Sequence, residues 1–258
     1  MNNFYNTYKN AIDRFIDQAL EEDIEGGDHS SDACFDDGLK REAVLKVKDN
    51  CIIAGITLAQ KIFHRHDPSL NLSPLCKEGE KLEPGAVAFR IEGKAKSLLS
   101  SERLVLNCMQ RMSGIATLSH QLSHKIRHTK CKILDTRKTT PGFRYPEKWA
   151  VTIGGGYNHR MGLFDAIMIK DNHIAASGGI DKAVANAQTY LAEKKLDAKI
   201  EVETRTMDEV RQVITLIDDE AFETSSVSRV MLDNMSLEDM KEAVKLIDGR
   251  VETEASGN

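Results

Sequence analysis

Between Asp135 and His173 the sequence sets cations beside hydroxyls, amides and bare backbone. The runs are Asp135-Thr136-Arg137-Lys138-Thr139-Thr140-Pro141-Gly142, then Asn158-His159-Arg160 just after Gly154-Gly155-Gly156, then Lys170-Asp171-Asn172-His173. An ordinary solvated surface interleaves both signs of charge with helix formers, whereas this grouping suits a site for polyanions. Arg137 can grip a carboxylate or phosphate with two parallel hydrogen bonds, and Lys138 adds a compact second charge. The glycines let backbone amides, with His159 and Arg160 beside them, come close to an anion, although their spacing is not that of a dinucleotide-binding G-x-G-x-x-G turn. Lys170 closes the apolar run 166–169, a place where a lone ammonium is costly, so it calls for an anionic ligand or a carboxylate partner. Glu203 and Asp233 close two later apolar runs and can neutralise Lys170, hold Mg²⁺ or accept from ligand hydroxyls. Glu201 shares a strand face with Glu203 and is a further carboxylate candidate. Ser and Cys do not occur in the segment, so the chemistry is positioning and charge stabilisation, as in transfer from a phosphorylated donor, and not a covalent acyl intermediate.

These residues need elements that bring them to one place. After Lys130 short apolar strands each finish on a charge: 132–134 at Asp135, 166–169 at Lys170, 200–202 at Glu203, 230–232 at Asp233 and, more weakly, Val251 leading to Glu254. The ends are 35, 33, 30 and 21 residues apart, close to one β-loop-helix-loop unit, and helical patterns over 181–192 and 236–247 lie between them. Repetition of that unit predicts a parallel α/β barrel whose functional residues gather at the carboxyl ends of the strands. Upstream, an amphipathic helix is expected over 4–20. Short β-like runs at 43–47 and 87–91 predict a small α+β domain with an antiparallel sheet, and a long helix is expected over about 98–128. The expected division is 1–112 for the N-terminal domain and 113–258 for the barrel domain.

Composition narrows the function classes. A chain of 258 residues with 41% hydrophobic and 29% charged residues, 17 Gly and 5 Pro can bury a large core and is neither disordered nor fibrous. The net charge of −5 disfavours a general nucleic-acid binder. Five scattered cysteines, none in a C-x-x-C pair, read as reduced thiols of a cytoplasmic protein. Asp13, Arg14, Asp17 and Glu21 interrupt the first helical segment, which argues against a signal peptide, and the apolar runs are too short to span a membrane.

The motifs DTRKTTPGFR (135–144), EKWAV (147–151), GGGYNHRMGL (154–163) and IKDNH (169–173) closely resemble those of the family of nicotinate-nucleotide pyrophosphorylase (carboxylating), or quinolinate phosphoribosyltransferase. The resemblance extends through SER (101–103), LN (106–107), SGIAT (113–117), EVE (201–203) and LDN (232–234), and so covers most of the chain. It implies an N-terminal α/β sandwich domain, an incomplete α/β barrel and a homodimer. The implied reaction joins quinolinate to 5-phosphoribosyl-1-diphosphate with loss of CO₂ and pyrophosphate, giving nicotinate mononucleotide for NAD synthesis. By match, Arg103 reaches the neighbouring subunit's site and, with Arg137, His159 and Arg160, holds the two carboxylates of quinolinate. Lys138 and Lys170 face the ligand anions, and Glu203 and Asp233 serve the ribose hydroxyls and Mg²⁺. The closing residues resemble the start of a phosphate-binding Ser-Gly turn, in which Ser256 and Gly257 donate to a phosphate, and relatives of this kind continue beyond it. Two competing readings are a paralogous phosphoribosyltransferase for another base and a non-catalytic anion-binding dimeric scaffold. Three arginines suited to a dicarboxylate disfavour the first, and carboxylates kept beside the cations disfavour the second.

Overall fold

The structure is a computed structural model that describes residues 3–219 and 227–257. Packing divides the chain into two compact units, Met1–His159 and Arg160–Asn258.

In the first unit α1 (Phe4–Thr7) and α2 (Lys9–Ile24) lead into α3 (His29–Cys34), whose first turn is capped by the carboxylate of Asp28. The strands β1 (Lys40–Lys46), β3 (Asn71–Pro74) and β5 (Val87–Lys94) form an antiparallel sheet with β5 in the centre, while β2 (Cys51–Ile52) pairs with β4 (Lys81–Leu82). The register sets Ala43 opposite Ile91 and Leu45 opposite Phe89, so the anticipated small α+β domain is present. Helix α4 (Ile56–His66) packs on this sheet, with Phe63 edge-on to Phe89. Its N-cap is Gly55 at φ 97°, a position without a capping side chain. The carboxylate of Glu78 serves instead, accepting from the backbone N–H of Ile56 at 3.2 Å and of Thr57 at 3.0 Å. The long helix α5 (Ala95–Ile126) buries Val105, Cys108, Met109, Met112 and Ala116, the i, i+3, i+4, i+7 stripe of a core helix, and residue 112 lies well inside it. Helix α6 (Arg144–Ile153) buries Trp149, which stacks on Phe4 at 5.6 Å. The run 132–134 is not a strand. It makes the isolated parallel bridge Leu134–Tyr157, in which the Tyr157 N–H donates to the Ile133 carbonyl at 2.8 Å and the Asp135 N–H to the Tyr157 carbonyl at 3.1 Å.

The second unit is a four-stranded parallel sheet in sequential order: β6 (Ala166–Ile169), β7 (Lys199–Thr204), β8 (Val227–Asp233) and β9 (Glu252–Ser256). Helices α7 (Asp171–Ser177) and α8 (Ile180–Lys194) follow β6, α9 (Met207–Asp218) follows β7, and α10 (Leu237–Ile247) follows β8. This is the repeated strand-helix unit of an open sector of an α/β barrel. Alternation splits the sheet into two chemistries. Ile169, Ile200, Val202, Val230 and Leu232 pack against Val184, Val210, Val213, Ala243 and Ile247 of the helices. The alternate residues are Met168, Glu201, Glu203, Arg229, Met231, Asp233, Glu252, Glu254 and Ser256. Helix starts are locally encoded: Thr206 and Glu209 form a capping box on α9, and Ser236 caps α10.

The five cysteines are free. Burial pushes the Cys108 thiol up to about 12, whereas Cys34 and Cys131 are exposed. With an aromatic disulfide reagent at pH 8, Cys34 and Cys131 should therefore label rapidly and Cys108 only on unfolding. Peptide mapping that finds Cys108 among the fast thiols would contradict this packing.

Candidate functional site

In the second unit the register of the parallel sheet builds the site in rows. Met168, Glu201, Arg229 and Glu252 stand in one row, Met231 is opposite Glu203 and Glu254 in the next, and Asp233 is opposite Ser256 at the carboxyl ends of β8 and β9. The first row is an ion network. Arg229 contacts Glu252 at 2.6 Å, Glu254 at 2.9 Å and, more loosely, Glu201 at 3.8 Å. Burial works to lower the pKa of Arg229, but the hydrogen bonds it donates to Glu252 and the charges of Glu201 and Glu254 outweigh it and the value is raised, so the guanidinium stays charged.

The strand ends hold the cluster anticipated from sequence. Lys170 follows β6 directly, and its ammonium lies 3.0 Å from Glu203 Oε2. The buried member of this pair is the carboxylate: the Glu203 side chain is 5% exposed and that of Lys170 45%. The desolvation cost therefore sits on Glu203, and Lys170 offsets it. A second cation completes the cluster. Arg205, just past β7, reaches Asp171 at 2.6 Å, Glu203 Oε1 at 3.3 Å and Asp233 at 3.5 Å. The charge of Asp171, against some desolvation and with help from Glu203 and Asp233, raises the pKa of Arg205. Asp233 also accepts from the side-chain amide of Asn234 at 2.8 Å. At the end of β9 the carbonyl of Ser256 accepts from the N–H of Asn234 at 2.9 Å. Gly257 follows at φ 103°, where a Cβ would fall 2.4 Å from Asn234 Oδ1, so the turn requires glycine. Arg160 donates to the carbonyl of Ala166 at 3.1 Å and lies 3.7 Å from Met168 Sδ.

In the first unit the loop before α6 carries Arg137 and Lys138. The Lys138 N–H donates to Thr136 Oγ1 at 3.0 Å, and Arg137 holds a buried Nε with no hydrogen-bond partner among the described residues. Asp135, read from sequence as a strand end facing a mouth, is a structural hub instead. It pairs with the fully buried Lys148, takes the Asn158 side-chain amide and accepts the His159 N–H at 2.9 Å. The triple glycine has a packing explanation as well, since a Cβ on Gly154 would sit 2.3 Å from the Ala116 carbonyl oxygen of α5. Beside this loop, Arg111 pairs with Glu147 at 2.8 Å and donates to Thr140 Oγ1 at 2.9 Å. Arg103 is exposed on α5.

Sequence reasoning missed Arg111, Arg205 and Arg229, and it read Glu147 and Lys148 only as part of a motif, without the ion pairs they form. Only Arg205 carried a signal, its position two residues beyond Glu203 at a strand end.

Comparison with known proteins agrees with this architecture. Family models for the N-terminal and C-terminal domains of quinolinate phosphoribosyl transferase match residues 28–113 and 115–258. A Nicotiana tabacum protein named quinolinate phosphoribosyltransferase [decarboxylating] 2b, mitochondrial, is 47% identical over 251 residues, which is 93% of this chain and 70% of that relative. An Arabidopsis thaliana protein named nicotinate-nucleotide pyrophosphorylase [carboxylating], chloroplastic, is 46% identical over 94% of this chain and 71% of its own length. Among solved structures, NadC from Streptococcus pyogenes superposes with a TM-score of 0.85 at 38% identity, covering 96% of this chain and 83% of that one. On these matches and on the parallel sheet with its charged strand ends, the chain belongs to the quinolinate phosphoribosyltransferase family.

Proposed function

We propose that the protein transfers the phosphoribosyl group of 5-phosphoribosyl-1-diphosphate to quinolinate with decarboxylation, giving nicotinate mononucleotide, pyrophosphate and CO₂ for NAD biosynthesis. It is a pentosyltransferase. The reading rests on 47% identity across 93% of the chain to a relative that bears the decarboxylating enzyme's name. The alternation of cation and carboxylate at the ends of β6, β7 and β8 supports it.

Attack of the pyridine nitrogen on ribose C1 builds positive charge on the ribose as pyrophosphate leaves. Carboxylates at that position favour the transition state, which is the role proposed for Glu203 and Asp233. Lys138 and Lys170 balance the anions of the ligands, and Arg103, Arg137, His159 and Arg160 hold the carboxylates of quinolinate. The buried Nε of Arg137 supports this assignment, because an unsatisfied buried donor costs about 1–3 kcal/mol and a ligand acceptor would relieve that cost. Ser256 and Gly257 are assigned to the 5′-phosphate, on a turn that already requires glycine.

The strand ends suit Mg²⁺ in donor type, since hard carboxylate oxygens are what that ion takes, usually together with substrate phosphates. Asp233 is the better ligand, because each oxygen of Glu203 already faces a cation, Lys170 or Arg205. When bound, Mg²⁺ would neutralise charge on the leaving diphosphate. The assembly proposed is a homodimer in which Arg103 reaches across. Leu99 and Leu106 support it: they are exposed at 41% and 37% and share a face of α5 with Arg103, at i, i+4, i+7 spacing. Free thiols suit the reducing cytoplasm, and among the described residues no helix is long and apolar enough to cross a membrane.

Incubation with quinolinate, 5-phosphoribosyl-1-diphosphate and Mg²⁺, with nicotinate in a parallel reaction, tests the reading. Equal amounts of nicotinate mononucleotide and CO₂ are expected from quinolinate and none from nicotinate. Product from nicotinate would point to a transferase for another base, and no product at all would leave an anion-binding scaffold.

A further inference from the structure

We propose that Arg205 is a positioning residue for the phosphoribosyl donor, acting through Glu203 and Asp233 and itself held by Asp171. The inference rests on the transferase reading and adds to it a residue pair that the reaction's own assignments leave out.

The geometry is that of one fork spanning three elements. Nη1 of Arg205 meets Asp171, the first residue of α7, Nη2 meets Glu203 on β7, and Nε meets Asp233 at the end of β8. Three nitrogens of one planar group thus address three carboxylates, an arrangement that a lysine ammonium cannot reproduce. The root of the side chain is fixed too, because the backbone N–H of Arg205 donates to Glu209 Oε2 at 2.6 Å in the first turn of α9. Glu203 is thereby held at both oxygens, by Lys170 on one and by Arg205 on the other.

Two carboxylates side by side repel, and a cation between them offsets the repulsion and holds both in place. Arg205 lies between them, offsets that repulsion and fixes where their oxygens point. Asp171 reaches the donor only through Arg205, and its other oxygen is taken by the N–H of Asn172 at 2.8 Å.

The test is steady-state kinetics on the whole chain with both substrates varied. Arg205→Gln should raise KM for 5-phosphoribosyl-1-diphosphate about tenfold, the weight of one charge-assisted hydrogen bond, with KM for quinolinate changed less than about twofold. Arg205→Lys should recover only part of the loss. Asp171→Asn, on an exposed side chain that leaves the fold intact, should raise the same KM by a smaller factor and add nothing in the Arg205→Gln background. An unchanged donor KM, equal rises in both KM values, or additive effects of the two substitutions would each overturn the proposal. Wild-type protein without turnover would remove the transferase reading and this inference with it, and that failure shows in the wild type alone.

Discussion

Lys170→Ala is expected to lower turnover on the order of 10²-fold or more, the usual result of removing one preorganised electrostatic stabiliser. Two losses combine. The site loses a cation at the end of β6, and among the described residues the buried carboxylate of Glu203 keeps Arg205, at 3.3 Å, as its counter-ion. Stability should fall by about 1–3 kcal/mol as well, because a buried acceptor loses a charged donor, and a urea titration separates this from the kinetic loss. Lys170→Arg retains charge without the compact geometry and should recover part of the rate. Arg137→Ala carries a similar kinetic loss with the opposite structural sign. Its Nε is buried without a partner among the described residues, so truncation should leave the unfolding midpoint unchanged or raised. Near-normal turnover in folded Lys170→Ala would remove Lys170 from the machinery.

The parts legible in the sequence were those encoded locally. Strand ends at Lys170 and Asp233, the 3.6-residue periodicity of α5, α8 and α10, and the need of Lys170 for a carboxylate all follow from a few neighbouring residues. What was illegible depends on partners distant in sequence. Helix α4 begins at a glycine, and Glu78, more than twenty residues later, caps it, so no local capping signal marks its start. The run 132–134 reads as a strand, yet among the described residues it makes a single bridge, at Leu134. Arg229 looks like a solvated surface arginine until the parallel register sets Glu201 and Glu252 beside it. The triple glycine suggested close approach to an anion, and Gly154 also has a packing reason, the approach of α5, that the sequence does not show.

Asp135→Ala should be among the most destabilising single substitutions in the first unit, at about 3–5 kcal/mol, because it deprives a buried ammonium of its carboxylate. Lys148 is fully buried on α6, and the Asp135 side chain is 7% exposed, so little water can replace the lost partner. The same carboxylate takes the His159 N–H at 2.9 Å and the Asn158 side-chain amide, and that amide also donates to the Lys148 carbonyl at 2.8 Å. One residue therefore joins the loop of Arg137 and Lys138, helix α6 and the segment that carries His159. Urea unfolding should show a lower midpoint with an unchanged slope, the signature of a weaker native state with the same buried surface. Asp135→Leu combined with Lys148→Met should recover much of the loss, since replacing a buried ion pair by apolar groups of similar volume is often neutral or better. The double variant should still turn over poorly, because leucine cannot accept the His159 N–H. Stability recovered without activity would mark Asp135 as the group that holds His159 in place, whereas a loss below about 1 kcal/mol in the single variant would mean that water reaches Lys148 after all.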